Sequence, residues 1–302
     1  MRMRTVNRTL SGARARATAL LCAALLCATG CGSETPRTSI PGGLAVPLPH
    51  FDHIVLVVEE NHGYAQIAGA SDAPYINTLA SQGAAFTDSY AITHPSQPNY
   101  LALFAGSTFN LSTDDCPQTL NAPNLGGEAS ARGLSFIGYA EALPQVGYTG
   151  CAAGGGSPPR YARKHAPWVN FADISAQSNR PFSDFPSDLT RLPSIAFVAP
   201  DQYHDMHSGS IAAGDTWLRE EIGAYAAWAP THNSLLIVTW DEDDSLGKNH
   251  ILTIFVGAHV HPGSYGETIS HYDVLRTIEA LEGLPFTGSA MSALTIADVW
   301  QA

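Results

Sequence analysis

The sequence predicts an α/β fold with a mostly parallel central sheet and helices on both faces. Three observations carry that expectation. Short apolar, β-branched runs recur between stretches of helical periodicity, the runs are continuous rather than alternating, and acidic clusters directly follow three of them. A strand with one solvated face alternates apolar and polar residues, whereas a strand covered by helices on both faces is apolar throughout.

The strand candidates are 54–58, 194–198, 235–239 and 252–256, with 134–138 weaker. Helical spacing covers 75–82, closed by Gly83, then 212–228, and 272–281, closed by Gly283. The first strand runs into Glu59-Glu60-Asn61. The second leads to Asp201 and then His204-Asp205-Met206-His207, and the third ends in Trp240 followed by Asp241-Glu242-Asp243-Asp244. Ligand sites of open α/β sheets form beyond the carboxyl ends of the strands, so these clusters should converge on one edge. Carboxylates brought together repel unless something positive sits among them, and a bound divalent cation is the economical explanation.

The amino terminus reads as an export leader rather than as part of the fold. Residues 1–16 hold five arginines and no acid, 17–28 are apolar but too short to span a bilayer, and Ala28-Thr29-Gly30-Cys31 follows. A signal peptide over 1–30 is therefore expected. Cys31 is then the candidate lipidated residue of an extracytoplasmic lipoprotein, with simple secretion as the alternative. The Gly-, Pro- and Ser-rich stretch over 31–49 reads as a flexible tether and 50–302 as a single domain. Once the leader is gone, Cys116 and Cys151 are left as one pair in an oxidising compartment, which makes a disulfide the default. The net charge is −12, and −17 without the five leader arginines. Such an acidic surface excludes nucleic acid or an anionic membrane as the main partner. It does not exclude an anionic substrate, because a metal ion reverses the sign locally.

Ser96 lies between Pro95 and Pro98 at the start of a helix-compatible stretch, where N–H groups can receive an anion. It is not in a GxSxG elbow, which argues against an α/β-hydrolase esterase. The segments VVEENHGYAQI, THPSQPNYLALFAG, APDQYHDMHSGS, TWDEDDSLGKNHILTIFVG and SHYDVLRTIEALEGLP stand in an order that resembles the bacterial phosphoesterase family. That family comprises acid phosphatases and phospholipases C of the alkaline-phosphatase superfamily. The resemblance implies an alkaline-phosphatase-like fold. It also implies a divalent metal ion (Mg, Ca, Mn, Fe or Zn) and a small phosphate ester as substrate. Position by position, it implies Glu60, Asn61, Asp241 and Glu242 as metal ligands, with Ser96 as both ligand and nucleophile. His204 and His207 fall in the block that supplies active-site histidines. His94, Asn99, Asp201, Asp205, His250 and His271 are further candidates. Glu60-Asn61 continues as His62-Gly63, not as the Arg-Ser-Phe-Asp of the phospholipases, which favours the acid-phosphatase branch.

The expected activity is hydrolysis of phosphate monoesters through a phosphoserine intermediate. A phosphodiesterase or phospholipase C with the same site is the near alternative. A lipoprotein that binds a phosphorylated solute without turnover is the alternative of a different class. The sequence leaves the oligomeric state open.

Overall fold

The computed structural model describes residues 47–301. The expected leader over 1–30, Cys31 and most of the tether lie outside the described residues.

The strands in chain order are β1 (His53–Glu59), β2 (Ala84–Tyr90), β3 (Phe136–Ala140), β4 (Ala152–Ala153), β5 (Tyr161–Ala162), β6 (Asn179–Pro181), β7 (Ile195–Ala199), β8 (Ser234–Trp240), β9 (His250–Gly257), β10 (Gly263–Tyr265) and β11 (Ile269–Ser270). The α-helices are α1 (Tyr64–Ile67), α2 (Pro74–Gln82), α3 (Ser96–Ala105), α4 (Leu125–Ala131), α5 (Ile211–Trp217), α6 (Gly223–Trp228) and α7 (His271–Leu281). Among the described residues nine strands form one sheet in the order β10-β2-β9-β8-β1-β7-β3-β6, with β11 beside β2. From β8 through β6 every pairing is parallel, while β9 is antiparallel to both β8 and β2. The expected mostly parallel sheet is present. The run at 252–256 is the antiparallel strand, because a continuous apolar run reports burial on two faces and not direction.

Successive residues of the central strands feed opposite sides. Ile54, Leu56 and Val58 pack with Leu101 and Phe104 of α3 and Leu275 and Ile278 of α7. Val55 and Val57 pack with Ile76 and Leu79 of α2 and with Trp217 and Tyr225 from α5 and α6. Helices thus cover both faces, as a strand buried throughout requires. The stretch 212–228 is not one regular helix: a π-helical turn, Leu218–Ile222, joins α5 to α6. Gly214 lets α5 approach the loop after β7, since a Cβ there would press on Met206 and the His204 carbonyl. The sequence reading missed β2, whose Thr87, Asp88 and Ser89 interrupt its apolar pattern around a register shift against β9.

Helix α7 carries a buried acid. Glu279 Oε1 accepts from the Thr287 N–H (3.0 Å) and hydroxyl (2.6 Å), and its Oε2 has no partner. Burial raises its pKa from 4.5 to about 7. Between those values the folded chain binds more protons than the unfolded chain, so this group's contribution to stability is present below 4.5 and lost as pH rises towards 7. Glu279→Gln should melt a few degrees above the parent at pH 8 and match it more closely at pH 4.5, as read by differential scanning calorimetry.

Candidate active site

Three strand ends and one helix start meet at the carboxyl edge of the sheet. The β1–β8 ladder pairs Glu59 with Trp240, so Glu60 and Asp241 follow side by side. The turn after β7 folds back until the Glu60 N–H donates to the Asp205 carbonyl (2.8 Å). Asn61 takes a left-handed conformation (φ 56°), and its N–H donates to Asp241 Oδ1 at 3.1 Å. Helix α3 opens at Ser96 and stops at Gly106, which is left-handed (φ 66°) against the Thr287 carbonyl and leaves no room for a Cβ.

Asn99 shapes the approach to the serine. Its Oδ1 accepts from the N–H groups of Ile92 and Thr93, both at 3.0 Å. Its Nδ2 donates to the Thr93 carbonyl (2.7 Å) and to Glu242 Oε2 (3.3 Å). Ser96 Oγ then lies 3.1 Å from Glu60 Oε2 and 3.2 Å from Glu242 Oε1. His94 Nδ1 is 2.8 Å from Glu242 Oε2, and its Nε2 is 3.3 Å from Asp243 Oδ1.

Glu60, Asp205, Asp241 and Glu242 are all buried. Burial, then Glu60 and Glu242, push Asp241 well above the usual carboxylate range. Burial and Glu60 raise Glu242 to about 8, and burial raises Asp205 to about 7. Burial opposes ionisation of Glu60 too, yet His165 and Lys164 hold it down at about 2. His165 is raised to about 9 because Glu60 and Asp205 outweigh its own burial.

His165 and Lys164 are the site residues the sequence reading missed. His165 Nε2 lies 2.9 Å from Glu60 Oε1 and its Nδ1 3.0 Å from Asp205 Oδ2. Lys164 Nζ donates to Asp114 Oδ2 (2.9 Å) and to His207 Nε2 (3.3 Å), while Asp114 Oδ1 accepts from the Gln97 N–H. Both residues come from a short 3-10 turn, Arg163–His165, outside the main sheet, where no periodicity marks a site. The available signal was the basic triplet Arg163-Lys164-His165 in a chain with only 15 Lys and Arg.

That turn is anchored from several sides. Arg163 donates to the carbonyls of Thr149 (2.7 Å), Gln118 (2.9 Å) and Val169 (3.1 Å), and its N–H bonds the Cys151 carbonyl. The β4–β5 pair leads into it, and Cys116 is disulfide-bonded to Cys151 across 35 residues of sequence.

The other candidates take different places. His207 faces Lys164, and its pKa is lowered by burial with Lys164 and His165 nearby. His204 sits apart from Ser96: its Nδ1 is 2.9 Å from Glu141, and Asp201 lies with it, gripped by Arg160 at 2.6 Å. Asp201 Oδ1 further accepts from the N–H groups of Tyr203 and His204, so this group is already satisfied internally. His250 is stacked between Tyr64 and Tyr90. His271 reaches the Asp241 carbonyl at 2.7 Å, and burial lowers its pKa to about 4, so it supports the loop as a neutral ring.

The donor set fits a divalent cation. Glu60, His165 and Asp205 bring ligand atoms within 4.8 Å of one another. Glu60 Oε1, Asp205 Oδ2, His165 Nε2 and Asp241 Oδ2 are buried without a properly angled hydrogen bond. Unsatisfied oxygens on crowded carboxylates are what a metal ion would complete.

A mostly parallel sheet with a serine ringed by carboxylates at its carboxyl edge defines an alkaline-phosphatase-like fold. A solved protein in the alkaline phosphatase superfamily from Vibrio parahaemolyticus shares that fold: TM-score 0.57 and 13% identity, covering 85% of this chain and 74% of that one. The phosphoesterase family matches residues 70–285, and the chain belongs to that family. It is 53% identical over 262 residues to a phosphatidylinositol-3-phosphatase of Mycobacterium tuberculosis, spanning 86% of each chain. It is 30% identical to a phosphate-repressible acid phosphatase of Penicillium chrysogenum, over 88% of this chain and 70% of the relative. The protein is a hydrolase acting on phosphoric ester bonds.

Replacing both Cys116 and Cys151 with Ala should lower stability by about 2–4 kcal/mol in urea unfolding. Because the bond tethers the Lys164–His165 turn, turnover of the still-folded variant should fall as well.

Proposed function

We propose that the chain is an exported, metal-dependent phosphomonoesterase in which Ser96 is the nucleophile. The observation that supports this reading most is the hydroxyl of Ser96 held between Glu60 Oε2 and Glu242 Oε1 at the start of α3. Glu60, Asn61, Asp241, Glu242 and Ser96 itself would hold the ion, with His165 and Asp205 as further donors beside Glu60. Hard oxygen donors favour Mg, Ca, Mn or Fe, and the imidazole admits Zn. When bound, the ion would neutralise phosphoryl charge and favour the ionised serine.

The chain's own groups divide the remaining work. Ser96 Oγ forms a bond to phosphorus as the ester P–O bond breaks, and water later cleaves the phosphoserine to release phosphate. Glu60 Oε2, at 3.1 Å, and Glu242 Oε1, at 3.2 Å, are the carboxylate oxygens within reach of the serine proton. Lys164, held by Asp114 and His207, offers an ammonium to a phosphoryl oxygen. The leaving alkoxide takes its proton from the pair formed by His207 and Lys164. The name of the mycobacterial relative makes phosphoinositides a substrate class to try. The basic, then apolar leader and Cys31 support export, with a lipid on Cys31 as one form of it.

The test is hydrolysis of p-nitrophenyl phosphate and its bis-ester before and after chelation. Monoester turnover should be lost on chelation and restored by a divalent ion. Ser96→Ala should lose about three orders of magnitude or more in kcat, and acid-quenched parent enzyme should carry phosphate on Ser96. Near-normal turnover by Ser96→Ala would remove the nucleophile assignment. Preference for the bis-ester would favour the diesterase reading, and absence of turnover the solute-binding one.

A further inference from the structure

An acid outside the carboxylate cluster joins the serine helix to the basic turn. Asp114 Oδ1 accepts the N–H of Gln97, the residue next to Ser96 in the first turn of α3, at 2.9 Å. Its Oδ2 accepts from Lys164 Nζ, also at 2.9 Å. One carboxylate therefore spans the neighbour of the hydroxyl and the ammonium.

The loop that carries Asp114 is held in register with both partners. Gln97 is fully buried, and its Nε2 donates to the Asp115 carbonyl at 3.0 Å, so backbone and side chain of one residue grip consecutive acids. Gln118 donates to the same carbonyl at 2.7 Å. Two further links run from this loop to the other side, the Cys116–Cys151 disulfide and the bond from Arg163 to the Gln118 carbonyl. The Asp114–Lys164 pair is the link that ends on a reacting group.

Lys164 needs such a link. Its ammonium sits on a four-carbon stem with many rotamers. Burial opposes its charge, yet Glu60 and Asp114 outweigh burial and raise its pKa, and Asp241 adds to them. Glu60 and Asp241 thus attract the same ammonium, and an untied stem would lean towards the carboxylate cluster. Asp114 and His207 engage two of the three ammonium hydrogens, which leaves one for a phosphoryl oxygen.

We propose that Asp114 is a positioning residue: it fixes the Lys164 ammonium relative to the Ser96 hydroxyl by bonding to the first turn of α3. The proposal rests on the reading in which Ser96 attacks phosphorus and Lys164 meets the phosphoryl group and its leaving oxygen.

The test is a double-mutant cycle on the metal-loaded protein, with glycerol phosphate and p-nitrophenyl phosphate as substrates. Asp114→Asn still accepts the Gln97 N–H but presents no anion to Lys164. It should lower kcat/KM for glycerol phosphate about tenfold. The loss on p-nitrophenyl phosphate should be smaller, about threefold, because nitrophenolate leaves without a proton. Lys164→Ala and the double variant should agree within about twofold, since Asp114 acts through Lys164. Melting temperatures near that of the parent show that the samples are folded, and Asp114→Ser is the second variant for the same cycle.

Equal losses on both substrates, or the same cost of Asp114→Asn with and without Lys164, would give Asp114 a purely structural role and overturn the proposal. A lower KM in Asp114→Asn overturns it as well, because the carboxylate would then be an occupant that substrate displaces. Slow Lys164→Ala beside parent-like Asp114→Asn removes the positioning role alone. Parent-like Lys164→Ala removes the ammonium from the reaction and the proposal with it, while Ser96→Ala separately judges the nucleophile.

Discussion

The structure depends on how buried negative charge is compensated where β7, β1 and β8 end. Strand register leaves little freedom there. With Glu59 opposite Trp240 and Val57 opposite Val198, the residues that follow must adjoin, and three of them are acids at a buried edge. Isolated carboxylates in such surroundings protonate or find a partner. Here the partners are divided. His165 and Lys164 hold Glu60 ionised, while burial leaves Asp241 and Glu242 with strongly raised proton affinity until a cation joins them. The charge problem and the catalytic proposal are one arrangement seen from two sides.

Neighbouring Glu59 shows the contrast. Adjacent strand residues face opposite sides of a sheet, so Glu59 is turned away from the Ser96 side. Both its oxygens are buried without a partner, and burial, with Asp205 and Glu141 nearby, raises its pKa well above the usual range. Two adjacent glutamates thus differ in proton affinity, because only Glu60 meets His165.

Much of this was legible in the sequence. Continuous apolar runs gave the covered sheet, and their acidic tails gave the edge at which Glu60, Asp205 and Asp241 meet. Ser96 was singled out by the resemblance of its segment to the phosphoesterase family, since flanking prolines and a helix start mark a turn as readily as a nucleophile. What was not legible came from elements without periodicity. The turn carrying Lys164 and His165 is held by Arg163, a two-stranded pair and a disulfide, all long-range features that no local pattern encodes. His204 and His207 look equivalent in sequence, three residues apart. The turn after β7 sends one to Glu141 and the other to Lys164, a distinction that exists only in three dimensions. The sequence did not distinguish β9 as the antiparallel strand, because apolar content does not encode direction.

The central claim is that a divalent cation completes the carboxylate cluster around Ser96. Metal analysis of the purified protein, paired with its melting temperature before and after exhaustive chelation, tests it most directly. The account predicts stoichiometric divalent metal and a clear drop in melting temperature when it is removed, because uncompensated carboxylates then face one another. Metal-free protein that melts at the same temperature with or without chelator and added divalent ions would contradict it.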